Sequence, residues 1–370
     1  MRATALAAAV VLVFVARGAA AADDDLRVRI CAGQRDVVIS GHALRIDGRA
    51  ASADVLRASA ADGRVRVGGR ALGPRVQVSA AGPLRVDGRA LDGSLRIAAR
   101  GSRLVDVVNF VPLEPYVASA VASETPPAWP IEALKAQAVV ARTYALHERV
   151  RRSDEDFDLE ASVISQRYGA EPVPEAAAAA ARATAGEYLA YAGEPILAAF
   201  HASSGGETAS AEEVWGEAVP YLQSVSSPDE AAPDYFWSYE ISLADLSAAL
   251  REAGYQTGEL SEVRVTDRSD SGRVERIRCG AVRLSGRDLR EVLGGRALRS
   301  ALFEARVEDG RVRFLGSGSG HGVGLCQWGA SELARRGSSY RAILAHYYSG
   351  SDLRRLGARD SRLTNWSARR

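Results

Sequence analysis

"LEPYVASAVASETPPAWPIEALKAQAVVARTYAL", residues 113–146, decides how this chain is read. Over residues 113–123, apolar and small side chains recur at helical spacing through Val117, Ala120, Val121 and Ala122. Thr125-Pro126-Pro127 ends that helix, because proline has no N–H to donate and pushes the residue before it out of helical geometry. A second helix is predicted from near Pro130, a favoured first-turn residue. Leu134, Ala138, Ala141 and Ala145 form a narrow stripe of small side chains along it, which lets a neighbour sit close. Gln137 and Tyr144 share another face. Glu124 falls at the end of the first helix. Burial and the negative end of a helix dipole both disfavour its charged form, so a raised pKa is expected, as suits a general acid near neutral pH. The competing role is an ordinary ion pair with an arginine.

On the N-terminal side, "ALRIDGRA" (43–50), "RVRVGGRAL" (64–72) and "PLRVDGRAL" (83–91) form a loose repeat. Each alternates apolar residues with arginine and then reaches Asp-Gly or Gly-Gly, the signature of a half-buried strand entering a hairpin turn. Residues 26–100 therefore read as a small β-rich module. Before it, Arg2, the apolar run Ala3–Ala16 and the small residues 19–22 have the form of an export signal, with cleavage expected before Asp23. That run falls short of the roughly 20 residues of a membrane span. On the C-terminal side, residues 151–160 read as loop and 174–186 as a helix with a glycine stop. A strand hairpin is predicted from Glu187, an amphipathic helix over 243–254, and strands over 261–267, 273–284 and 302–315. Further helices are predicted from Ala330 to about Arg336 and over 340–348. Strands and helices mixed without regular alternation give the α+β class: a grooved catalytic domain preceded by the β-rich module. The expected divisions are 1–22 signal, 23–100 module, 101–355 main domain and 356–370 tail.

The net charge of +1 gives no reason to expect nucleic acid or an anionic membrane as partner, and Lys135 is the only lysine. Cys31, Cys279 and Cys326 permit one disulfide in an oxidising compartment, without indicating a pair.

The glycine-rich run "GSGSGHGVGLCQWGA" (316–330) lacks the strand and helix of a dinucleotide site, the G-x-S-x-G of a serine nucleophile and the lysine of a phosphate loop. His201, His321, His346 and Cys326 lack metal-ligand spacing, so no metal and no cofactor is expected.

Several stretches, in order, resemble one family: 113–146 above, "FDLEASVISQRYGA" (157–170), "AFHASSGGET" (199–208), "VWGEAVPYLQSV" (214–225), "SDSGRV" (269–274), "LREVLGG" (289–295), "LRSALF" (298–303), residues 316–330 and "AILAHYYSG" (342–350). Together they resemble the stage II sporulation protein D family, which includes the amidase-enhancer proteins of cell-wall lysis. The resemblance implies a lytic transglycosylase that cleaves peptide-free peptidoglycan glycan strands between N-acetylmuramic acid and N-acetylglucosamine, leaving 1,6-anhydro ends. It implies Glu124 as the catalytic group, with glycan strands and a cell-wall amidase as partners, and the signal-like start implies export to the periplasm or cell-wall space. A non-catalytic, glycan-binding enhancer of an amidase is the alternative.

On this reading the glycine run lets backbone lie against a sugar chain and presents His321, Gln327 and Trp328. "HASSGG" presents His201, Ser203 and Ser204 in the same way, and Gln166 and Tyr168 line the same groove. The competing role for His321 and Gln327 is to satisfy buried backbone groups in a tight loop. Arg142 and Gln137 are expected to hold the catalytic helix. Some members of the family carry a C-x-x-x-H-C zinc element where this chain has Glu160, Ile164 and Ser165. Isoleucine cannot ligate zinc, so no structural zinc is expected.

Overall fold

Alternating burial along short strands organises the first part of the chain. The computed structural model describes residues 24–161, 168–169 and 172–357. It divides into two compact units at Pro112. In the first, one antiparallel sheet runs in the order Leu26–Gln34, Leu104–Val111, Ser94–Arg100, Arg75–Ser79, Arg45–Ile46, Arg49–Ala50. A second runs Arg89–Leu91, Leu84–Val86, Asp36–Ser40, Val55–Ala61, Arg64–Val67, Arg70–Ala71. Val65 and Val67 are buried while Arg64 and Arg66 face out, and Leu84, Arg85 and Val86 follow the same rule.

The three repeat copies end in two-residue hairpin loops closed by Ile46–Arg49, Val67–Arg70 and Val86–Arg89. Both loop residues have positive φ in each copy: Asp47 and Gly48, Gly68 and Gly69, Asp87 and Gly88. That is the turn whose twist matches the flanking strands, and it explains the Asp-Gly and Gly-Gly pairs.

The second unit, from Leu113, holds the helices: α1 (Leu113–Glu124), α2 (Ile131–Arg151), α3 (Glu175–Ala183), α4 (Ala211–Trp215), α5 (Leu243–Glu252), α6 (Gly286–Leu293), α7 (Gln327–Arg335) and α8 (Tyr340–Tyr347). The proline break lies where expected, and Thr125 closes α1 by donating its N–H and its hydroxyl to the Val121 carbonyl. Instead of a narrow stripe, α2 buries nearly every residue from Ala133 to Arg149. It is enclosed by α1, α3, α7, α8 and the strand Glu187–Tyr191. Its alanines allow that enclosure from all sides, which a one-sided pattern reading does not anticipate. The fully buried Arg142 grips both carboxylate oxygens of Glu114 at 2.9 and 2.6 Å and donates to the Glu187 carbonyl at 3.0 Å, tying α1 to α2.

Residues 236–317 add a second core. One sheet pairs Phe236–Ser242 with Arg311–Ser317 and that strand with Phe303–Glu308; another pairs Val263–Arg268, Val274–Cys279 and Val282–Leu284. Trp237, Leu246, Leu250, Ile277, Leu289 and Phe314 fill the space between them and α5 and α6. The strand Phe236–Ser242 and helix α6 were not anticipated. The strand follows a proline- and acid-rich loop, and α6 is short and rests on a Ser285/Asp288 capping box. Helix α7 begins at Gln327, three residues before the expected Ala330, because the Cys326 sulfur takes the capping position and accepts the Gly329 N–H. All three cysteines are free, so the disulfide the sequence permits is not formed.

Candidate functional site

Two loops of the second unit are zipped together by backbone. Phe200–His201 pairs in parallel with Leu325–Cys326, and Ser203 bridges Ser319 through two hydrogen bonds of 3.1 and 2.7 Å. The glycine run makes this possible. A Cβ on Gly318 would lie 2.7 Å from the Ser203 carbonyl oxygen, one on Gly320 2.7 Å from the His201 Cβ, and one on Gly324 2.1 Å from the Ala199 carbonyl oxygen. A Cβ on Gly322 would strike the Arg273 guanidinium at 2.4 Å. At these four positions the close neighbour that requires glycine is the protein's own chain.

The same interface decides the roles of several candidates. Asp229, buried and not foreseen, accepts from the Ser203 hydroxyl at 2.6 Å and from the N–H groups of Ser204 (2.6 Å), Gly205 (2.9 Å) and Gly206 (2.8 Å). Its sequence setting, one acid among several in "SPDEAAPD", carries no signal that singles it out. Cys326 donates its thiol to Asp229 at 3.4 Å, and burial followed by the Asp229 charge pushes that thiol up to about 11. Ser203 and Ser204 are both buried, and the Ser203 hydroxyl is engaged inside the loop.

His201 donates from Nδ1 to the Val323 carbonyl (3.1 Å), and its Nε2 is buried with no partner. Burial drives its pKa well below the usual value. His321 accepts the Val323 N–H on Nδ1 at 3.0 Å. Burial, opposed in part by the bond to the Phe200 backbone and reinforced by the smaller effects of the Arg290 and Arg273 charges, pushes His321 down to about 4. Both imidazoles are therefore neutral at pH 7, with rings 5.6 Å apart, and both bond backbone groups in the loop.

Helix α7 joins this assembly to the end of α1. Gln327 donates from Nε2 to the Glu124 carbonyl and to Gln137 Oε1, each at 3.4 Å. The Trp328 N–H donates to the Ala202 carbonyl at 3.1 Å, and its ring meets Trp129 edge-on, centroids 5.2 Å apart. Glu124 is half-buried at the last position of α1. Thus Glu124, Trp129, Gln327, Trp328 and the Ala202 backbone form one corner. Tyr168 packs its ring 5.0 Å from that of Tyr116 on α1, and the Gly169 N–H donates to Ser119 Oγ at 3.0 Å. Tyr116, wholly buried, has its pKa raised by burial and then by the neighbouring Tyr144, Tyr168 and Glu124. Gln166, Ile164 and Ser165 lie outside the described residues. Among the described residues no group of three or more His, Cys, Asp or Glu is placed to hold a metal ion.

The family described as "Stage II sporulation protein" matches residues 102–191, and a domain of unknown function matches 226–324. The chain is 34% identical to stage II sporulation protein D of Bacillus amyloliquefaciens over 71% of its own length and 79% of that protein's. It is 36% identical to an uncharacterized protein of Brachyspira hyodysenteriae over 67% and 68% of the respective chains. An amidase enhancer of Bacillus subtilis is 26% identical over 62% of this chain and 39% of its own length. These similarities establish that the chain belongs to the stage II sporulation protein D family.

Proposed function

We propose that the chain acts in the cell wall as a lytic transglycosylase on peptide-free peptidoglycan strands, exported to the periplasm or cell-wall space, with Glu124 as its acid and base. The observation that carries this reading is the corner itself. A half-buried glutamate closes α1, its own carbonyl is held by Gln327, and Trp129 and Trp328 stand beside it. Aromatic faces and amide donors suit a sugar chain, whose rings offer apolar faces and directional hydroxyls.

Glycosidases that use water need two carboxylates about the bond. A transglycosylase that closes the sugar on itself needs one. Glu124, protonated, donates to the leaving glycosidic oxygen as the bond to C1 breaks. The muramic acid 6-hydroxyl bonds to C1, and the Glu124 carboxylate takes the hydroxyl proton. The group ends as it began, no water is consumed, and the held hydroxyl supplies the proximity that a second reactant lacks. Peptide-free strands incubated with the wild type should release 1,6-anhydro products detectable by mass; Glu124→Gln should bind strands and release these products far more slowly.

The amidase-enhancer relative favours a second reading, in which the chain binds glycan and stimulates a cell-wall amidase without cutting. Intact strands after incubation with the wild type, together with faster amidase turnover in its presence, would select that reading.

A further inference from the structure

A cleft of about 800 Å³ opens in the second unit, and Trp215, Arg273, Arg290, His321, Glu213 and Asp288 are among its walls. Arg273 is its unusual member. Its side chain is nearly all buried, its Nη2 donates to the Ser204 and Glu207 carbonyls at 3.0 and 3.1 Å, and its Nη1 is buried with no acceptor at all. Among the described residues no carboxylate lies within 4.0 Å of it. Arg290 is in a similar position: its Nε donates to the Leu298 and Arg299 carbonyls at 2.9 and 3.2 Å, and no carboxylate pairs with it among the described residues. A guanidinium in a protein wall is costly without an opposing charge. Here two of them lie within electrostatic reach of the same His321 ring.

The acids of the cleft make no direct ion pair with either guanidinium; Glu213 acts on Arg273, and Glu291 on Arg290, only through space. Glu213 accepts from Ser210 and Ser271, Asp288 caps α6, and Glu291 faces Arg287 at 3.7 Å. Beside the two guanidiniums stands Trp215, more than a third exposed at the end of α4, its ring 5.6 Å from that of His321. An exposed indole next to unpaired planar donors matches a ligand with one apolar ring face and one carboxylate.

From this arrangement we infer that the Trp215–Arg273–Arg290 cleft is a subsite for an acidic sugar, its carboxylate held by the guanidinium pair and its ring carried on the indole. The identity of that sugar rests on the glycan reading above. N-acetylmuramic acid stripped of its peptide exposes a lactyl carboxylate, whereas in a peptide-bearing strand the same carbon is an uncharged amide. The subsite thus distinguishes stripped from peptide-bearing strands by charge. A chain of contacts links it to the Glu124 corner: the His321 ring in its wall meets that of His201, and the next residue, Ala202, receives the Trp328 N–H.

The test is a titration of the full chain with N-acetylmuramic acid, its lactyl methyl ester, N-acetylglucosamine and N-acetylglucosamine 6-phosphate. The acid should bind at least tenfold more tightly than the ester or the neutral sugar. Arg290→Gln should abolish that preference, and Trp215→Ala, at an exposed site, should weaken all sugars. Equal affinity of the wild type for acid and ester overturns the inference, whether or not any variant folds. So does a phosphate sugar that binds as well as the acid, which would make the cleft a general anion pocket. A wild type that cleaves strands without preferring the acid removes the subsite and leaves Glu124 standing; one that prefers the acid but leaves strands intact does the reverse.

Discussion

At the scale of single residues, the candidates separate by what their polar atoms already do. Ser203 bonds Asp229, both histidines bond the Val323 backbone, and Gln327 holds the Glu124 carbonyl. These are positioning contacts, and they make Asp229 the residue on which the loop depends. Asp229→Ala would strand three backbone N–H groups and the Ser203 hydroxyl in a buried place, costing about 3 kcal/mol or more. A drop of several degrees in thermal midpoint is expected, and an unchanged midpoint would contradict the role given to Asp229.

His321 carries a pH signature. Folded, it takes a proton only near pH 4, beside Arg290, Arg273 and the neutral His201. Unfolded, it takes one near 6.5, so between these values the unfolded chain binds more protons and stability falls as pH drops. Up to about 3 kcal/mol is involved, levelling off below pH 4. Denaturant midpoints between pH 7 and 4 read this directly, and His321→Gln should flatten the slope.

Among the elements, the helix–proline–helix run and the three hairpins were legible in the sequence because each depends on local chemistry. Proline cannot continue α1, and only residues tolerant of positive φ fit the repeat turns. What escaped was set by distant contacts. Nothing within α2 announces that it is enclosed on every side, and nothing near Gly324 announces the Ala199 carbonyl. The glycines therefore differ in consequence. Gly324→Ala places a Cβ 2.1 Å from a backbone oxygen, and substitution there should prevent accumulation of folded protein. Gly337→Ala has open space around it and positive φ alone, so a loss of about 1 kcal/mol is expected. Similar thermal midpoints for the two variants would refute the close-approach explanation.

For the molecule as a whole, the fold class followed from mixed patterning, and the family relation followed from ordered stretches that share a unit with the site. The site's chemistry was only partly readable. Glu124 became a candidate through its place at a helix end together with the family resemblance, but Asp229 and the unpaired Arg273 emerge only when loops far apart in sequence close on each other. Each unit has its own buried core. Calorimetry should accordingly show Asp229→Ala lowering one transition and leaving another in place, whereas a uniform shift of all unfolding would mean that the two cores unfold as one. Among the described residues no helix is long and apolar enough to cross a membrane.

The most direct test of the central claim is the mass spectrum of products from peptide-free glycan strands treated with wild type and with Glu124→Gln. The account predicts 1,6-anhydro ends from the wild type and a rate lower by about 10² to 10⁴ in a variant that still folds and binds strands. Equal product release by the two proteins would contradict it.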